Sequence, residues 1–122
     1  MDPIIGTGRL FYQKTARDSD TEIWQGDLVL SDGRRMSLEA RAPAGKKRFN
    51  YECTMKEKTA PGIPWPVKAT FKLKPFGGKI NVAQDVEIPN YGQAKVWVKK
   101  GQNGPFIAFR MLDKPAVEHI VR

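Results

Sequence analysis

The chain predicts an all-β domain, either a small closed or partly open antiparallel barrel or a two-sheet β-sandwich. Three observations carry that expectation. Apolar residues recur at every second position through most of the chain. Runs of this kind are separated by Gly, Pro, Asn, Asp and Ser at intervals of roughly 8–12 residues. A helical stretch, at most a short one, fits only the C-terminal end, where Asp113 would cap a turn opening at Lys114 and Pro115.

The alternation places strands near 8–13, 22–30, 34–42, 47–55, 67–74, 79–88, 93–100 and 105–112. Met36, Leu38, Ala40 and Ala42 alternate with Arg35, Ser37, Glu39 and Arg41. Val67, Ala69, Phe71 and Leu73 alternate with Lys68, Thr70, Lys72 and Lys74. Successive side chains of a strand point to opposite faces, so each run reads as half buried. Ser31-Asp32-Gly33 has the composition of a tight hairpin turn, and Gly101 to Gly104 joins the last two strands. Thr59 to Pro66 holds three prolines and is expected as an extended loop. The whole chain is one domain at 122 residues, with 59–66 a proline-rich loop and 113–122 a C-terminal tail.

With 21 Lys plus Arg against 13 Asp plus Glu, the formal charge is +8, which favours a polyanionic partner. The single cysteine, Cys53, excludes an intrachain disulfide. It falls on the apolar side of Phe49, Tyr51, Cys53 and Met55, where a small buried thiol is expected. No signal-peptide pattern and no apolar run of spanning length are present, so a cytoplasmic protein without a membrane role is expected.

The last hairpin is the most informative segment. Ala94, Val96 and Val98 form one face of its first strand, with Lys95, Trp97 and Lys99 on the other. The returning strand presents Ile107, Phe109 and Met111 on one side, with Phe106, Ala108 and Arg110 on the other. A loop over Gly101–Gly104 sets Lys99 opposite Phe106, Trp97 opposite Ala108 and Lys95 opposite Arg110. Two rings thus stand among cations, and two like charges face each other, which costs some tenths of a kcal/mol. An anionic ligand would relieve that repulsion. A single strand of nucleic acid would use both features, with phosphates on the cations and bases on the rings. Lys100 continues the basic run toward the loop. Trp65, in its proline-bracketed loop, and the Lys68, Lys72 and Lys74 face extend the candidate track. Burial of the rings under a second layer, or between copies in a homo-oligomer, is the competing reading of the same face. The Trp65 loop equally suits a protein partner.

No catalytic constellation emerges. His119 is the only histidine, far in sequence from Cys53, so neither a Cys–His pair nor a His/Cys metal set can be assembled. Gly6-Thr7-Gly8 lacks the strand–turn–helix setting of a dinucleotide fingerprint. Asp18, Asp20 and Glu22 read as solvated loop acids, or as ligands for a hard cation. The expectation is a protein that is not an enzyme and needs no cofactor.

The stretch Tyr91-Gly-Gln-Ala-Lys-Val-Trp-Val-Lys-Lys-Gly-Gln-Asn-Gly-Pro-Phe-Ile-Ala-Phe-Arg110 resembles the basic–aromatic hairpins of small OB-fold single-stranded-DNA-binding proteins of phage and plasmid type. That resemblance implies an OB-like barrel and sequence-tolerant binding of single-stranded nucleic acid, with DNA implied by the analogy alone. The alternative is a protein-interaction module, such as a small phage-encoded inhibitor or assembly factor. An OB barrel carries a helix between its third and fourth strands, where this chain has its proline-rich loop.

Overall fold

A computed structural model describes residues 5–13, 21–43, 50–76 and 79–112. Eight antiparallel strands form one sheet: β1 (Gly6–Tyr12), β2 (Thr21–Leu30), β3 (Arg35–Pro43), β4 (Tyr51–Glu57), β5 (Val67–Leu73), β6 (Gln84–Ile88), β7 (Gly92–Gly101) and β8 (Gly104–Met111). Their order is β5-β4-β3-β2-β1-β8-β7-β6, so every chain neighbour is also a spatial neighbour and β1 pairs with β8. The sheet curls into a nearly closed barrel with one unsealed seam, between β5 and β6. This is the partly open barrel expected from the alternation, and not the two-sheet sandwich. Its likeness to an OB barrel is one of shape, because the eight strands follow an up-and-down order where an OB-fold is a five-stranded Greek key. The proposed C-terminal helix, the 113–122 tail, His119, Asp18 and Asp20 lie outside the described residues.

The alternation of the sequence becomes inside and outside. Leu10, Leu28, Met36, Leu38, Met55, Leu73, Ile88, Val96, Ile107, Phe109 and Met111 fill the interior and exclude solvent. Eight strands enclose a space that side chains can fill. The seam is held by a side chain acting as a strand: the Gln84 carboxamide accepts from Lys74 N at 2.9 Å and donates to Lys74 O at 2.8 Å.

The sixth strand starts at Gln84, five residues after the position that the alternation suggests. Asn81 sits in the left-handed region at φ 65° and donates its backbone N–H to Val98 O at 2.8 Å. That turn ends regular pairing and leaves Ile80 and Val82 exposed.

Cys53 lies inside the barrel at 2% exposure, and burial pushes its thiol up to about 12. The folded state therefore keeps a proton that the unfolded chain releases near pH 8.5–9. The resulting stabilisation is complete below that pH and is lost as pH rises toward 12. Only the thiolate reacts, so a disulfide reagent at pH 8 is expected to label native protein at least 100-fold more slowly than protein in denaturant. Equal labelling rates would place Cys53 at the surface.

Candidate nucleic-acid interface

The register of the last hairpin is the one its sequence predicts. Lys99 pairs with Phe106, Trp97 with Ala108 and Lys95 with Arg110, and a two-residue turn, Gln102-Asn103, closes the hairpin. Gly104 adopts φ +114°, a conformation that reverses the chain there and that a side chain would oppose. Trp97 and Phe106 both point to the outer face of the barrel, as expected, but they are not equally open. Trp97 is half-buried, whereas Phe106 is only 9% exposed.

The cover over Phe106 comes from β1, which the hairpin's own sequence cannot show. β1 pairs with β8 so that Phe11 faces Phe106, Arg9 faces Ala108 and Thr7 faces Arg110. The Arg9 guanidinium sits 5.1 Å from the Phe106 ring centroid, and the Phe11 ring lies 5.8 Å away. Phe106 is thus the base of an aromatic–cation stack. The ring open to a ligand is Phe11, 49% exposed. The outer surface of three strands becomes a small lattice: Phe11, Phe106 and Lys99 in one row, Arg9, Ala108 and Trp97 in the next, then Thr7, Arg110 and Lys95.

Charges on this lattice are of two kinds. Lys95 donates to Asp85 Oδ1 on β6 at 2.7 Å. Asp85 therefore relieves the Lys95–Arg110 repulsion from within the protein, and no anionic ligand is needed for it. Arg9, Lys99 and Arg110 form no ion pair with a described carboxylate, nor does Lys100 at the neighbouring hairpin tip.

The remaining candidates divide. Lys68 and Lys72 lie on the outer face of β5 and Lys74 directly follows that strand, four strands from β1 in either direction round the barrel. Lys68 and Lys72 each stand 3.7 Å from a carboxylate, Glu57 and Glu52 respectively. β6, which carries Asp85 and Glu87, separates them from β7. The structure does not bring the β5 lysines into the cluster. Trp65 sits closer to it. The Lys58 ammonium lies 5.7 Å from the Trp65 ring and 2.7 Å from Asp27 Oδ1, and Asp27 stands opposite Arg9.

From the lattice the surface turns over the barrel rim into an open cleft of about 960 Å³. Its walls include Arg9, Phe11, Tyr12, Trp24, Phe106 and the Gly101–Pro105 turn. Glu22 also lines it, and it is no solvated loop acid. Its Oε2 accepts from Trp24 Nε1 at 2.6 Å and from the Tyr51 hydroxyl at 2.7 Å. Burial, and then the neighbouring Glu22 carboxylate, push the Tyr51 phenol well above its ordinary range. Tyr51 therefore remains a hydroxyl donor. The Tyr12 and Trp24 rings pack 5.5 Å apart beside this pair of bonds. Among the described residues no group of three or more His, Cys, Asp or Glu is placed to hold a metal ion.

Arg9, Phe11, Tyr12 and Trp24 are cleft residues without a place in the sequence-based track, and Glu22 stands there in a role other than the loop acid or cation ligand expected of it. The one usable signal was the outward set Thr7, Arg9 and Phe11, a basic and an aromatic residue at alternate positions. It was obscured because the inward set of the same strand opens with Gly6 and Gly8 and shows no apolar stripe. No family model, curated protein or solved structure matches the chain.

Proposed function

We propose that the protein binds single-stranded nucleic acid, DNA by the analogy drawn from its hairpin, across the outer face of β7, β8 and β1. The observation that carries this reading is the coincidence of Phe11 and Trp97 with Arg9, Lys99 and Arg110 on one surface, with Lys100 next to it at the hairpin tip, where no described carboxylate neutralises those cations. Cations of this kind take phosphates with release of counterions, and rings of this kind stack bases whatever their sequence.

Tryptophan fluorescence titration with single-stranded DNA, duplex DNA and RNA oligomers tests the reading at two salt concentrations. Four phosphate contacts give a log–log salt slope of about −3, so affinity is expected to fall about 50-fold between 50 and 200 mM salt. Absence of binding to any single strand at 50 mM salt overturns the proposal.

A second reading rests on a different surface. Ile63, Trp65 and Val67 are exposed together at the loop between β4 and β5, which suits a protein partner. A complex made there would persist in the presence of a competing single-stranded oligomer.

A further inference from the structure

The cleft at the barrel rim holds a combination that sequence-tolerant binding does not require. A carboxylate stands in an aromatic-walled recess of a protein whose net charge is +8. Two donors hold it there, Trp24 Nε1 and the Tyr51 hydroxyl, and both bond to Oε2. Among the described residues Oε1 keeps its acceptor capacity. A carboxylate has about four lone-pair sites, two on each oxygen, so with both anchoring bonds on Oε2 the two that remain are those of Oε1. Phe11 and Tyr12, each nearly half exposed, supply ring surface beside it, and Arg9 lines the same recess.

These groups define a ligand with a flat face, an anionic group and an edge rich in donors. A simple organic cation fits poorly, because Arg9 and the surrounding charge repel it. A nucleotide fits all three: phosphate on Arg9, base against Phe11 or Tyr12, base edge on Glu22. The bases differ at that edge. Guanine offers two adjacent donors, N1–H and the 2-amino group. Adenine and cytosine each offer one amino group beside a ring-nitrogen acceptor, and thymine offers one N–H between two carbonyls, all of which set acceptors against the carboxylate.

We propose that the cleft at the barrel mouth is a base pocket selective for guanine, in which Oε1 of the Glu22 carboxylate accepts from N1–H and the 2-amino group. This rests on the single-strand reading above and adds to it one position where sequence is read.

The test compares a short oligothymidylate with the same oligomer carrying one guanine, adenine, cytosine or hypoxanthine at its centre. Wild-type protein is expected to prefer the guanine oligomer by fivefold or more, the scale of a good two-bond base contact. Hypoxanthine lacks the 2-amino group and is expected to lose most of the preference, a result that depends on no protein variant. In Glu22→Gln, an amide donor enters the pocket and the guanine-to-thymine ratio is expected to approach one. If no oligomer binds, the single-strand reading itself fails. If all bind equally, that reading stands and guanine selection is overturned. A preference that survives both hypoxanthine and Glu22→Gln removes Glu22 from the contact.

Discussion

Gly26→Ala is expected to destabilise the protein by about 3 kcal/mol or more and to lower its Tm by roughly 10 °C or more. Gly26 lies on the inward side of β2, opposite Leu10 of β1. A Cβ built there collides with the Arg9 carbonyl oxygen and crowds the Leu10 Cα at 3.0 Å. The obstacle is backbone, so no rotamer change relieves it. Gly8 shows the same geometry from the other strand, with its Cβ position 2.6 Å from Asp27 O. The two glycines let β1 and β2 coil tightly at a barrel corner. Because most domains are stable by only about 5–15 kcal/mol, a loss of this size is large. Gly104→Ala is the useful contrast. A Cβ there meets nothing within 4 Å, and only its positive φ opposes the change, a cost of about 1–2 kcal/mol. Thermal unfolding followed by circular dichroism separates the two. A Gly26→Ala protein melting within a few degrees of wild type would mean that β1 and β2 do not approach as described.

The same corner explains which parts of the molecule were legible in the sequence. Strand existence and facing follow from local alternation, and the hairpin of β7 and β8 is local too. Gly101 and Gly104 pin its register, so the pairing of Lys99, Trp97 and Lys95 could be read without coordinates. Closure of the barrel is not local. β1 meets β8 about 100 residues away in the chain, and no pattern within Gly6–Tyr12 announces that partner. Everything that depends on this pairing was therefore hidden: the Arg9 cover over Phe106, the exposed Phe11 beside it and the cleft at the rim. The relief of Lys95 by Asp85 was hidden for the same reason, because it needs the β6–β7 register. Glu22 was misjudged because its neighbours in sequence are polar loop residues, while its partners Trp24 and Tyr51 meet it only at the barrel mouth. The β5 lysines erred the other way. A regular basic strand face is locally conspicuous, yet it lies across the barrel from the cluster.

Replacing Arg9 and Phe11 with alanine is expected to have the largest effect on binding. Phe11 presents the most open ring on the lattice, and losing a base stack costs about 1–3 kcal/mol, roughly a 5- to 150-fold fall in affinity. Arg9 contributes differently. Its guanidinium stacks on Phe106 and carries a charge unpaired by any described carboxylate, so its removal takes away one phosphate contact. For a single strand that reduces the magnitude of the log–log salt slope by about 0.7. The two substitutions therefore have separable signatures: Phe11→Ala lowers affinity with the salt slope unchanged, and Arg9→Ala lowers both. Together they are expected to weaken binding by about 100-fold at 50 mM salt. Both side chains point outward from β1 and neither belongs to the interior packing, so far-ultraviolet dichroism should match wild type. Lys72→Ala, on β5 across the barrel, is expected to bind like wild type. A double variant that binds as tightly as wild type would exclude the outer face of β1 from the interface, and a Lys72→Ala protein that loses affinity would move the binding track to the other side of the barrel.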